Sequence, residues 1–218
     1  MKRIREICGC LPRVKVYADV GCDHGYCARY MLEDLKGERV YVTDVSAESL
    51  KKAERLLAAH VAEGRCVPVC CDGLSGVPEP CGCVLIAGLG GEEIVHILKQ
   101  SGLPEKFVLQ PMKNAEKVRE YLVSQRAKIL KDYTFRDGKF YDLIAGEREG
   151  GSEYTDYELR FGRDNLTDPK PDFYDKIKEE QGKLRAIAGT RMSAENREKV
   201  REKLLMLGEV IDAIENDL

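Results

Sequence analysis

The sequence predicts an α/β protein: a mostly parallel sheet with an antiparallel terminal strand, followed by an antiparallel helical hairpin. Three observations carry this expectation. Short β-like and helix-like runs alternate from residue 14 to residue 147, the pattern of a parallel sheet with helices on both faces. Asp137-Gly138 separates the last two β-like runs, a hairpin signal that reverses the final strand. Near the end of the chain, Val200, Leu204, Leu207, Ile211, Ile214 and Leu218 recur at 4-3-4-3-4 spacing, a narrow heptad seam that needs a partner helix to bury it.

Taken in order, Val14–Val20 reads as a strand and Tyr26–Leu35 as a helix. Arg39–Val45 is rich in Val, Tyr and Thr and reads as the second strand. Ala47–Glu63 carries Leu50, Ala53, Leu57 and Val61 at helical spacing, with Ser46 as its N-cap. Strands follow at Cys66–Cys71, Cys83–Ala87 and Lys106–Gln110, with helices at Glu92–Gln100 and Ala115–Gln125. Ile129–Phe135 and Phe140–Glu147 form the hairpin. This combination is typical of the Rossmann-like methyltransferase sheet.

The alternation stops near Gly150-Gly151, and a polar stretch containing Asp168-Pro169-Lys170-Pro171 follows. Beyond it, Phe173, Ile177, Leu184 and Ile187 form a second, weaker seam that Glu180 interrupts. Gly189 and Ser193 supply a helix stop and a new N-cap between the two seams. The expected division is a ligand-binding domain over 1–155, a linker over 156–171 and a coiled-coil-like hairpin over 172–218. Two helices lying flat on the main domain would satisfy the same pattern.

Composition narrows the class. Apolar residues make up 43% of 218, enough to bury a core. No apolar run approaches the ~20 residues of a membrane span, and the basic start Met1–Glu6 is not followed by an apolar signal segment. The net charge of −3 argues against a wholly basic nucleic-acid binder but not against a basic face. The nine cysteines show no zinc or redox spacing. They read as reduced structural thiols of a cytoplasmic protein, with no metal expected.

The chemistry gathers at strand ends. Asp19-Val20-Gly21-Cys22-Asp23-His24-Gly25 follows the first strand and opens a helix. Its glycines allow a sharp turn and close approach of a ligand. Asp44, with Val45 beside it, ends the second strand, where a carboxylate can accept from both hydroxyls of a ribose. Asp72-Gly73 ends the third, where it can meet an adenine amino group. Any one of these aspartates could be a simple turn residue; three at successive strand ends point to a ligand. A dinucleotide would want Gly-x-Gly-x-x-Gly, but Asp23 replaces the middle glycine and Asp19 precedes the loop. Two added negative charges disfavour a pyrophosphate and favour a ligand with an ammonium and a sulfonium, such as S-adenosylmethionine. Ile86-Ala87-Gly88-Leu89-Gly90-Gly91 gives an open loop after the fourth strand, and Gln110-Pro111 ends the fifth with an amide able to read a base edge. The donor-binding set is Asp19, Gly21, Cys22, His24, Gly25, Asp44, Val45, Asp72, Gly73, Ala87 and Gly88. The catalytic candidates are Asp23 and Gln110.

The runs Ala18–Tyr26, Asp72–Leu74, Ile86–Gly91 and Leu109–Pro111 resemble the bacterial tRNA (adenine(22)-N(1))-methyltransferase family. Gly138–Tyr141 is similar to that family's hairpin, and the tail resembles its coiled-coil domain. Leu89 stands where the family often has Met. The resemblance implies an S-adenosylmethionine-dependent enzyme, a helical domain that helps hold tRNA, and N1-methyladenine as product.

Adenine N1 carries an in-plane lone pair, so methylation needs no prior deprotonation. It needs positioning and stabilisation of developing positive charge. Asp23 is the residue expected to provide this by accepting from the adenine amino group. Basic excesses in the first 16 residues, in 113–139 and in 183–203 are candidates for an RNA footprint. Two other readings fit the sequence: a methyltransferase for a small molecule or protein, suited to the acidic pI of about 5.8, and a non-enzymatic module that uses the hairpin to hold a partner.

Overall fold

The computed structural model describes residues 2–190 and 192–216. Leu218 of the seam and Arg191 of the last basic excess lie outside these. The chain opens with α1 (Lys2–Cys8), which the sequence reading did not anticipate. Its seven residues are too few to display a period, yet Ile7 and Cys8 are buried against the sheet.

Next come β1 (Val16–Val20), α2 (Tyr26–Glu33), β2 (Arg39–Asp44), α3 (Ala47–Leu56), α4 (Ala58–Ala62) and β3 (Cys66–Cys70). The single helix expected over 47–63 is thus two. It breaks at Leu57, whose backbone leaves the helical region while its side chain stays buried. Ser46 caps α3 as expected, accepting from the Ser49 amide at 3.3 Å. The sheet continues with β4 (Cys83–Ala87), α5 (Gly91–Ser101), β5 (Lys106–Gln110), α6 (Ala115–Ser124), β6 (Lys128–Asp137) and β7 (Lys139–Glu147). The seven strands lie in the order β3-β2-β1-β4-β5-β7-β6. The first five are parallel, and β7 runs antiparallel between β5 and β6. The reversed strand is therefore last in sequence but not at the sheet's edge. Its placement sends the Asp137-Gly138 turn to the same edge as the carboxyl ends of the parallel strands.

Residues 156–171, expected to form a linker, instead hold two short helices, α7 (Asp156–Phe161) and α8 (Arg163–Thr167). A Thr155/Glu158 capping box starts α7. Asn165 is buried and accepts from the Thr134 amide at 2.8 Å, fastening α8 to β6. The polar residues that suggested a linker act here as caps and bridges. The tail is a hairpin of α9 (Pro171–Ala188) and α10 (Ala194–Asn216). Lys178 on α9 pairs with Glu215 at the far end of α10 at 3.2 Å, so the two run antiparallel. Phe173, Ile177, Leu207, Ile211 and Ile214 of the two seams form a core with Phe161, while Ile187 and the residues around the turn are exposed. Glu180, which interrupts the seam, pairs at 2.7 Å with Arg160, which also pairs with Glu116.

A buried ionic cluster joins sheet and tail. Arg119 of α6 lies 2.9 Å from both oxygens of Asp132, and both side chains are 1% exposed. Asp142 of β7 pairs with Lys176 of α9 at 2.8 Å. Burial would raise the Asp142 carboxyl, but Lys176 and Arg119 outweigh it and hold it at about 2. Asp132→Ala would leave the Arg119 charge buried with its main partner gone. Urea unfolding of that variant should show a loss of about 3–5 kcal/mol, partly restored in the double variant with Arg119→Met.

Candidate active site

The loop after β1 is shaped by its backbone. Gly21 and Gly25 sit at φ 68° and 74°, and Gly25 is the N-cap of α2. Asp23 between them holds φ 44°, a left-handed conformation unusual for a residue with a side chain. The loop is pinned by Thr43 of β2, whose carbonyl accepts from the amides of Gly21 at 2.8 Å and Cys22 at 3.2 Å. The Thr43 hydroxyl donates to the Gly73 carbonyl at 2.8 Å. One buried residue, absent from the sequence-derived set, therefore fixes the loops after both β1 and β3. Its signal in the sequence was only a β-branched residue just before Asp44.

Asp19 is 5% exposed and has no ion-pair partner among the described residues. Burial raises its carboxyl to about 7, only partly offset by the Ala28 amide. Asp44 receives the Ser46 amide on one oxygen at 2.8 Å, which leaves its other oxygen available. Val45 beside it is 73% exposed. Asp72 is exposed, Gly73 is buried, and the Asp72 carbonyl closes the following turn by accepting from Ser75 at 3.1 Å. The Cys22 side chain is buried, and burial followed by the Asp19 and Asp44 charges pushes its thiol far up. It contributes backbone and packing to the loop and is no nucleophile. Cys66 and Cys83 are likewise raised by burial to about 12. All nine cysteines are free.

Asp23 is exposed at the loop's tip. Its carboxylate meets His24 Nδ1 at 2.7 Å and Lys52 at 3.5 Å. Partial burial would raise it, but the His24 hydrogen bond and the His24 and Lys52 charges prevail and hold it below the usual carboxylate range. The His24 ring stacks on Tyr26 with centroids 5.8 Å apart.

Ala87 ends β4, and the Gly88 amide donates to the Gln110 carbonyl at 3.0 Å. At Gly91 a Cβ would sit 2.2 Å from the Asn114 carbonyl, so only glycine lets the loops after β4 and β5 come together. The side chain of Gln110 differs from expectation. It is fully buried, its Oε1 accepts from Arg3 Nε at 2.9 Å, and its Nε2 donates to the Pro111 carbonyl at 2.9 Å. With both amide atoms engaged, it does not project toward a base; it orients Arg3. Arg3 was missed because a single arginine in a short basic start carries no pattern.

A cavity of about 300 Å³ opens where these parts meet, lined by Arg3, Asp19, Gly21, Asp23, Tyr26, Ala87 and Asp137 among others. Asp44 ends the neighbouring strand β2, and Asp72 follows β3 by two residues along the same edge.

The expected basic footprint is only partly realised. Within 113–139, Arg119 is buried on Asp132, Arg136 pairs with Asp175 at 3.5 Å, and Arg126 and Lys128 lie at the opposite edge of the sheet. Lys113 and Lys139 remain at the sheet edge where the parallel strands end, following β5 and the hairpin turn. Lys2 and Lys15 are paired with Asp172 and Glu38. The described basic residues of 183–203 are on exposed positions of the tail, where Arg185, Arg197 and Lys203 have no ion-pair partner among the described residues.

The sheet order and a carboxylate-lined rim define a Rossmann-like methyltransferase. The chain belongs to the family described as "Methyltransferase domain", whose model matches residues 1–144. It is 28% identical over 153 residues to the tRNA (adenine(22)-N(1))-methyltransferase of Bacillus subtilis strain 168. That match takes in 67% of this chain and 64% of the relative, so the chain spans less than two thirds of that relative's length. In fold the likeness extends further. The crystal structure of the B. subtilis M1A22 tRNA methyltransferase TrmK superposes with a TM-score of 0.85 at 22% identity, covering 96% of this chain and 97% of that one. M. capricolum TrmK, solved in complex with S-adenosyl-homocysteine, gives 0.89 at 19% identity with 98% of each chain covered.

The raised Asp19 carboxyl fixes a sign. Its folded value, about 7, exceeds its ordinary 3.8, so the native state holds the proton more tightly. The stability this contributes is full below pH 3.8 and is lost as pH rises through about 7. Asp19→Asn should match wild type near pH 4 and exceed it at pH 8 by on the order of 4 kcal/mol. Urea unfolding at the two pH values checks this.

Proposed function

We propose that the chain transfers a methyl group from S-adenosylmethionine to N1 of an adenine in tRNA, at position 22, in the cytoplasm. The observation that carries this reading is the placement of Asp19, Asp44 and Asp72 at or just beyond the carboxyl ends of β1, β2 and β3, with Asp19 lining the cavity. The residues suit the donor. A buried carboxyl with no cationic partner among the described residues matches an ammonium, the free oxygen of Asp44 matches a ribose hydroxyl, and Asp72 matches an adenine amino group. Exposed Val45 offers an apolar surface for the donor's base. The target nucleotide follows from the name of the B. subtilis relative.

When bound, S-adenosylmethionine supplies an electrophilic methyl group. The protein's own work is to place an adenine edge against it and to favour the charge that builds on the ring. No proton need be taken from N1, so no strong base is required. Asp23 meets this demand. It is ionised, stands at the cavity's mouth, and is steered by His24 and Lys52. Its carboxylate accepts from the adenine N6 amino group, a hydrogen bond that strengthens as the base becomes cationic. Tyr26, stacked on His24, gives the flipped base a flat neighbour. Lys113, Lys139 and the exposed basic residues of the tail supply the phosphate contacts that a polyanionic substrate needs.

Mapping the methylated nucleotide in tRNA incubated with the purified protein tests the reading directly; methyl transfer to metabolites or proteins but not to tRNA overturns it. Asp23→Ala should lower turnover by roughly 100-fold while changing donor affinity less than about threefold. An equal loss in both would remove Asp23 from the chemistry. Affinity for tRNA should fall by about tenfold or more between 50 and 200 mM salt. A flat response would mean that the basic residues do not touch phosphate.

A further inference from the structure

The cavity at the strand ends has a neighbour on the outer side of the first two helices. A groove of about 420 Å³ runs between α1 and α2, lined by Ile4, Arg5 and Cys8 of the first and by Tyr26, Arg29 and Tyr30 of the second. Ile4 and Tyr26 also line the cavity, so the two spaces share a wall. We propose that this groove holds a nucleotide adjacent to the target adenine, with its base against the Tyr30 ring and a flanking phosphate on Arg5 and Arg29. This rests on the reading of tRNA as substrate.

The lining has the chemistry for such a guest. On α2, Tyr26, Arg29 and Tyr30 are spaced i, i+3 and i+4, so they share one face. Ile4, Cys8 and the two rings give the groove an apolar floor. Its rim is cationic. Arg5 is exposed and has no ion-pair partner among the described residues. Arg29 reaches only Glu33, at 4.0 Å, and the other oxygen of that carboxylate lies 3.2 Å from His60 Nε2. Asp34 is the sole carboxylate among the described residues that line the groove, so the two arginines leave it net positive. A ring beside two available guanidiniums takes a base by stacking and its phosphate by charge-assisted hydrogen bonds. Neither contact reads the edge of the base, so the groove accepts any of the four.

Position explains why the guest is a strand neighbour rather than a free anion. An adenine that leaves its stack to reach the cavity brings the adjoining nucleotides to the rim. The wall they meet there is Tyr26, which the His24 ring steadies by stacking at 5.8 Å between centroids. One side of that wall faces the cavity and the other belongs to the groove, so the next nucleotide along the strand falls between Arg5 and Arg29.

Binding of full-length tRNA to the full chain, with S-adenosylmethionine titrated in parallel, tests the groove. Arg5→Gln and Arg29→Gln should each weaken tRNA binding about three- to tenfold and lower the slope of log affinity against log salt by about 1, with donor affinity kept within about twofold. Both side chains are exposed, so neither change disturbs the core. The contact is located from the RNA side with a neutral methylphosphonate linkage placed next to the target adenine, on one side or the other. At one of these positions it should weaken wild type about fivefold or more and weaken the double variant no further. Tyr30→Leu, which keeps this half-buried position apolar, should abolish a wild-type preference of about fivefold or more for a base over an abasic site in the neighbouring nucleotide. Arginine variants with wild-type affinity and salt slope overturn the proposal, as does a wild type indifferent to the neutral linkage at both positions. Equal losses toward tRNA and donor also overturn it, because they place the arginines in the fold rather than on the strand. A wild type that neither binds nor methylates tRNA defeats the reading of the substrate itself.

Discussion

The rim depends on the hydrogen bonds of Thr43. Its carbonyl fixes the loop after β1 and its hydroxyl fixes the loop after β3, while its own strand ends one residue later at Asp44. Three strand ends therefore share one buried residue, and small shifts in β2 would reach all three. The arrangement rests on main-chain partners rather than on exposed side chains, and these contacts are shielded from competing water. It also leaves Asp19 buried and nearly uncompensated at the wall of the cavity.

Topology supplies the second half of the site. With β7 inserted between β5 and β6, the hairpin turn arrives at the functional edge instead of the opposite one. Asp137 in that turn meets α1, and Asp172 at the head of α9 meets both Lys2 and the Arg136 amide. The first helix, the hairpin and the tail thus converge at the place where β1 to β5 end. Deeper down, the Arg119–Asp132 pair and the Asp142–Lys176 pair fasten α6, both hairpin strands and α9 together. The Arg119 Nε hydrogen bond shared by both oxygens and further contacts from Tyr154 and the Arg163 amide satisfy Asp132, which is the condition under which a buried ionic pair can be tolerated.

How far the sequence revealed this varied with the kind of signal. Strands such as Cys83–Ala87 and Lys106–Gln110 were legible to the residue, because apolar runs flanked by glycine, proline or charge leave little freedom. The aspartates at strand ends were legible because fold class and position together imply a rim. The break at Leu57 was not: its apolar spacing continues straight through, and only tertiary packing around Leu57 bends the backbone. Nor was α1, whose seven residues gain their order from the sheet and hairpin they rest on. Residues 156–171 looked like a linker because polar residues dominate, yet Asn165 and Asp164 are polar in order to bond β6. Charge counts over 113–139 misled for a related reason. Sequence windows sum residues that the fold sends to opposite edges or buries in pairs. Gln110 shows the same limit at the scale of one side chain: its place in the sheet was clear, but its engagement by Arg3 depended on an element 107 positions away.

Asp23 carries an implication for how such a pocket changes allegiance. Its backbone occupies a region that glycine enters freely and that other residues enter at a penalty of about 1–2 kcal/mol. A single-base change in an aspartate codon gives glycine, which would relax the loop and remove one of the two charges that repel a pyrophosphate. The strained residue is thus the one that keeps a negative group at the mouth of the cavity.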